Sequence, residues 1–113
     1  MHKIEAMHHY IYILSLTEKY QNPANWTDET NAIVSAHWNY LVDLHSKDIV
    51  QVVGRTNYEP GNPGLFGINI FKAENQTAAE QIMYRDPCIV QGVMTAHVHP
   101  FNLFMVPGAM VSN

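Results

Sequence analysis

Apolar residues recur along this chain in two rhythms, strict alternation and spacing by three and four, and the switches between them divide it into elements. From His8 to Leu16 both alternating sets are apolar: Tyr10, Tyr12, Leu14 and Leu16 on one side, Ile11 and Ile13 on the other. A strand with two apolar faces is central and covered on both sides. After Thr27 the rhythm changes. Ile33, His37, Tyr40, Leu41 and Leu44 fall at helical spacing and form one stripe. Thr27 is the candidate cap, and Asp28 and Glu29 favour the first turn. His45, Lys47 and Asp48 close the helix, with Asp48 suited to the left-handed turn position that glycine usually fills. His37 lies inside the apolar stripe and therefore points inward.

Residues 49–55 read as a second strand. Residues 57–64 hold two prolines and two glycines and form a loop. A third strand spans 65–72, with Phe66, Ile68 and Ile70 opposite Leu65 and Phe71. An alanine-rich helix follows at 75–84 and buries Ala78, Ala79, Ile82 and Met83. A turn at 86–92 leads into a fourth strand at 93–98, and residues 103–106 are placed to add an edge strand. Residues 1–7 form a loose leader, and the polar connection 17–25 is long enough to rim a pocket. The order is β-α-β-β-α-β. Right-handed crossovers then give an α+β, ferredoxin-like fold, an antiparallel sheet with both helices on one face. The other face is apolar too and needs cover, which a second copy packed sheet to sheet would supply.

The composition fits that picture. At 113 residues the chain is expected to be one domain, 1–113, with a single core. Its 14% charged residues lie well below the usual quarter, as expected of a domain that hides apolar surface in a homodimer. A net charge of -4 and six scattered lysines and arginines argue against a nucleic-acid partner. No apolar run approaches the roughly 18 residues that span a bilayer, so no membrane partner is expected. The single cysteine suits a reducing compartment and, with no signal pattern in front, points to the cytoplasm. In that setting Asn25-Trp26-Thr27 and Asn75-Gln76-Thr77 are glycosylation sequons by pattern alone.

The candidate chemistry centres on His37 and Asp86. A histidine held by a carboxylate has its tautomer fixed and can serve as general acid or base. A plainer reading stands beside it. His37 would be a core histidine satisfied by one hydrogen bond, and Asp86 a cap for the turn at Pro87. Tyr10 or Tyr12 could offer a hydroxyl to a small-molecule ligand, or pack in the core. Arg55 and Arg85 could hold a substrate carboxylate, or lie in solvent. His97 and His99 share a strand face but lack a third ligand, so no metal is expected. His8 and His9 point to opposite faces. Cys88 has no partner motif and reads as an inert buried thiol. No phosphate loop, Ser-His-Asp order or zinc spacing occurs.

The run Ala36-His37-Trp38-Asn39-Tyr40-Leu41, then Leu44 and Gly54, resembles the YCII-related (YciI-like) family, as do Asp86-Pro87, Gly92-Val93 and Pro100-Phe101. The resemblance covers about residues 8–104. It implies a dimeric α+β barrel, similar in architecture to muconolactone isomerases and EthD-type proteins, with a His-Asp pair at the mouth of each subunit's cleft. A dehydrochlorinase acting on a chlorinated hydroxymuconate is an enzymatic relative. By that resemblance this would be a small homodimeric enzyme transferring protons, isomerase- or lyase-like, on a small polar molecule. His37 would be the acid/base, Asp86 its orienting partner, and no cofactor would be needed. The alternative is a non-catalytic ligand-binding or accessory module. The chain departs from the family at Asp48-Ile49, where Gly-Arg is frequent, at His99, where lysine is common, and in its longer 17–25 connection.

Overall fold

The computed structural model describes residues 7–111, so all of the expected leader but Met7 lies outside the described residues. The sheet is built around β1 (His8–Leu16). It pairs antiparallel with β3 (Gly67–Ala73) on one side and β4 (Met94–Pro100) on the other. β2 (Val50–Arg55) joins the far edge of β3, and the strand order is β2-β3-β1-β4. This is the ferredoxin-like arrangement expected from the order of the elements. α1 (Asp28–Ser46) and α2 (Gln76–Tyr84) make the crossovers, and a single turn, α3 (Pro87–Val90), precedes β4. The 17–25 connection winds into two 3-10 turns, Glu18–Gln21 and Pro23–Asn25.

Local chemistry sets the ends of these elements. Thr27 caps α1 through a reciprocal pair with Thr30, each side chain accepting from the other's backbone N–H. Asn75 caps α2 by accepting from the Ala78 N–H at 2.8 Å. Asp48 takes the left-handed position after α1 at φ 61°, as its place in the sequence suggested, and its carboxylate meets Lys72 at 2.8 Å. The expected strand at 103–106 does not join the sheet. The chain turns at Pro107-Gly108, with Gly108 at φ 75°, so β5 (Met105–Val106) pairs with β6 (Ala109–Met110) in a separate hairpin.

Register assigns the two faces of the sheet. Tyr10 sits opposite Phe71 and Pro100, Tyr12 opposite Asn69 and Val98, and Leu14 opposite Gly67 and Ala96. Tyr10, Tyr12, Leu14 and Phe71 meet Leu41 and Leu44 of α1 and Ala79 and Met83 of α2, and this is the core. Tyr12 and Phe71 are fully buried with ring centroids 5.4 Å apart, a tilted pair that adds about 0.5–1.5 kcal/mol to the burial of the rings. The opposite face carries Ile11, Ile13, Ile68, Ile70 and Val52, which the helical core does not include. A bulge between Val50 and Val52 shifts the phase of β2 by one residue. Val53 and Arg55 thereby lie on the same face as Val50, beneath α1. Among the described residues no helix is long and apolar enough to cross a membrane.

Candidate active site

Asp86 is fully buried at the start of α3. The Pro87 ring fits the first helical position, and the Asp86 side chain caps the turn by accepting from the Cys88 N–H at 3.0 Å. The same carboxylate accepts from the Tyr12 hydroxyl at 2.9 Å. His37 arrives from the inner stripe of α1 and places Nδ1 2.7 Å from Oδ1 and 2.8 Å from Oδ2. Three elements distant in sequence thus converge on one carboxylate. A carboxylate can only accept, so the proton of the His37 contact belongs to Nδ1, and in the neutral ring Nε2 keeps its lone pair. Asp86 caps the turn and meets His37 at once, because its two oxygens have capacity for both contacts.

His37 is also a wall of a cavity of about 800 Å³ between α1, β2 and the loops around them. Most of its lining is apolar: Leu14, Val34, Leu41, Val53, Leu65, Phe66 and Met94, with Trp26 and Trp38 at its sides. The 17–25 connection rims it through Pro23, and Trp26 just after it lines the cavity with its indole N–H fixed on the Tyr20 carbonyl at 2.8 Å. The charged residues in the lining are Arg55 and Glu59. Such a pocket, apolar with a few convergent polar groups, is the usual form of a small-molecule site.

Of the residues expected to touch a ligand, Arg55 lines the cavity and Arg85, an exposed residue, does not. Tyr10 is packed under the sheet with its ring 6.2 Å from Phe71 and does not reach the cavity. Tyr12 does not reach it either; its hydroxyl holds Asp86. Two features had no sequence signal. Tyr40 donates to the Ile82 carbonyl at 2.7 Å and ties α1 to α2. Asn69 is fully buried opposite Tyr12, and neither of its amide atoms has a hydrogen-bond partner among the described residues. His97 and His99 lie on the apolar sheet face, away from Asp86.

Burial dominates the electrostatics. It drives the Tyr12 phenol well above its ordinary value, and the neighbouring Asp86 charge adds to the shift. Burial, then Asp86, pushes the Tyr40 phenol up to about 12. The same two causes push the Cys88 thiol up to about 12. His37, Asp86 and Cys88 bring one potential ligand atom each within 4.8 Å of one another. A thiol held in its protonated form is a poor metal ligand, and the Asp86 oxygens already accept from three donors. The arrangement is that of a hydrogen-bonded dyad, able to move one proton between Nε2 and a molecule in the cavity.

Comparison with known proteins gives a family and a fold. The model of the YCII-related domain matches residues 12–102. Among matching solved structures is 5-chloro-2-hydroxyhydroquinone dehydrochlorinase from Burkholderia phenoliruptrix AC1100, in complex with 2,5-dihydroxybenzoquinone. It is 17% identical, with a TM-score of 0.61 over 83% of this chain and 93% of that one. Its named substrate is a chlorinated hydroxyhydroquinone and not the hydroxymuconate expected of a dehydrochlorinase relative. No curated protein matches the chain.

Proposed function

From the premise that this chain belongs to the YCII-related family, we propose that it is a homodimeric enzyme that transfers a proton on a small polar ring compound. His37 is the acid/base and Asp86 its orienting partner. The observation that carries this reading is the double contact of Nδ1 with a buried carboxylate, on a histidine whose ring also walls an apolar cavity. Nε2 takes a proton from an acidic carbon or hydroxyl of the substrate, and Asp86 stabilises the imidazolium that forms. The proton returns to a second atom of the substrate, in an isomerisation, or a leaving group departs as an anion with the bonding electrons and the imidazolium then gives its proton to solvent, in an elimination. Arg55 at the cavity wall holds the anionic oxygen of the substrate. Trp26, Trp38 and Phe66 suit a flat ring. The relative solved with a dihydroxybenzoquinone supports this class of ligand. The second copy covers the apolar sheet face, and the one unpaired cysteine, Cys88, suits a cytoplasmic setting.

The test is turnover of hydroxylated quinones and hydroquinones, lactones and hydroxymuconates, followed by absorbance, with His37→Ala as control. Conversion by the parent protein and its loss in the variant is the expected result. Saturable binding of these compounds with no conversion would instead assign the cavity to a non-catalytic ligand-binding module.

A further inference from the structure

The cavity beside His37 is larger than a single ring requires. An apolar cavity of about 150 Å³ already takes a benzene ring. This one is about 800 Å³, near the upper end of the range of about 300–1,000 Å³ that suits a drug-sized ligand. It extends in two directions. Across the sheet, Leu14, Gly67 and Arg55 are register partners on adjacent strands, so Arg55 stands about 10 Å from Leu14. Gly67 lies between them and lines the cavity with no side chain to fill it. A Cβ added there would meet Leu14 Cδ1 at 3.6 Å, an ordinary contact, so what the glycine supplies is room. A flat ring between His37 and Arg55 fits this part. The second part runs along α1 from His37 back to the Thr27 cap, about 15 Å at 1.5 Å per residue. Its walls are Val34, one turn before His37, then Leu16 with its register partner Met94, and Pro23 and Trp26 beyond. None of these brings an uncommitted polar side-chain group, because the Trp26 indole N–H is held by Tyr20.

The walls are fastened. Gln21 donates from Nε2 to the Leu16 carbonyl at 3.2 Å and accepts the Gly61 N–H on Oε1 at 3.1 Å. One side chain thereby ties the 17–25 connection to the end of β1 and to the 57–64 loop. Gly61 lies at φ 97°, and a Cβ there would stand 3.2 Å from the Gln21 carbonyl oxygen, so the two loops meet closely. Walls held in this way do not close down around a small ligand, and water in the apolar part finds few polar partners. We infer that the substrate is a hydroxylated ring carrying an extended alkyl substituent, with the chain seated along the first half of α1. The inference rests on the proton-transfer reading for the ring and adds the rest of the molecule. The ring meets His37 and Arg55, and the chain lies against Val34, Leu16, Met94 and Trp26. A polar substituent of the same length would lose its water there without gaining partners.

The experiment is titration calorimetry of the full chain with 2,5-dihydroxybenzoquinone carrying a methyl, propyl or hexyl group on the ring, with turnover of each followed by absorbance. The dissociation constant is expected to fall about two- to fourfold with each methylene added, the gain from burying a CH₂ group in an apolar wall. In the Val34→Phe variant, checked for folding by circular dichroism, the methyl compound should bind as in the parent and the gain with chain length should vanish. In spectra of methyl-labelled methionines, the hexyl compound should move the Met94 resonance further than the methyl compound does and leave the exposed Met105 and Met110 in place. A hexyl compound that binds no tighter than the methyl one would overturn the inference and leave the ring reading standing. A gain with chain length that moves Met105 or Met110 in place of Met94 would overturn it too, because the chain would then be adhering to the surface. Gains that follow the expected course without turnover of any compound would uphold the occupant and overturn the proton-transfer reading. No binding of any member of the series would overturn both.

Discussion

The Nδ1 of His37 lies 2.7 Å from one oxygen of Asp86 and 2.8 Å from the other, across 49 residues of sequence. Asp86 is wholly buried, while the His37 side chain keeps 12% of its exposure. One partner is therefore anchored and the other remains within reach of the cavity. Replacing His37 by alanine is expected to lower turnover roughly 10²- to 10⁴-fold while costing about 1–3 kcal/mol of stability. Asp86→Ala orphans the Tyr12 hydroxyl and the Cys88 N–H as well, and is expected to cost about 3–5 kcal/mol. Urea unfolding measures both. Equal costs for the two substitutions would show that Asp86 is not the anchor.

Tyr12 supports the carboxylate from below. Tyr12→Phe keeps the ring against Phe71 and removes one donor from Asp86, so a loss of about 1–2 kcal/mol is expected. Turnover should fall less than in His37→Ala, because Asp86 retains the His37 and Cys88 contacts. A full loss of activity would mean that the hydroxyl acts on the substrate directly.

Asn69 makes the opposite case. Its amide is buried with no partner among the described residues, which costs free energy unless something pairs with it. Asn69→Val replaces the amide by a β-branched apolar side chain suited to β3 and is expected to raise stability by about 1–2 kcal/mol, read as a higher urea midpoint. A lower midpoint would show that the amide is paired in solution, by water or by Tyr12.

Base stability should follow the phenols. The folded value for Tyr40, about 12, lies above its ordinary 10.0, and Tyr12 is shifted in the same direction. Below the ordinary value both folded and unfolded chains keep their protons, and stability is complete. Above it the unfolded chain ionises first, so stability falls through the interval up to about 12. Denaturant unfolding from pH 8 upward is expected to show this decline, with a shallower slope in Tyr40→Phe.

The Cys88 thiol, fully buried and pushed up to about 12, is expected to resist iodoacetamide near pH 8 and to react only after unfolding in urea. Mass spectrometry of the two samples checks this. Rapid labelling of the native protein would place the thiol at the surface.

The sequence by itself determined the elements and their order, because alternation and helical spacing are local properties. β1 was legible to the residue, as were the Thr27 cap, the Asp48 turn and the inward face of His37. Order and crossover handedness then implied the sheet. Asp86 was legible as a cap because its proline stands beside it. Tertiary structure decided the rest. Nothing local says that Tyr12, with the phenol of an ordinary core residue, ends beneath Asp86. Only the pairing of β1 with β4 and the placement of α3 bring them to 2.9 Å. Arg55 faces the cavity because the bulge after Val50 shifts the phase of β2, an event set by backbone pairing and invisible in the residue pattern. Residues 103–106 are apolar enough for a strand, yet the Pro107-Gly108 turn gave them a nearer partner than the sheet edge. Periodicity fixes which side of an element is apolar. Which distant groups meet across that side depends on register and packing, which are sums over the whole chain.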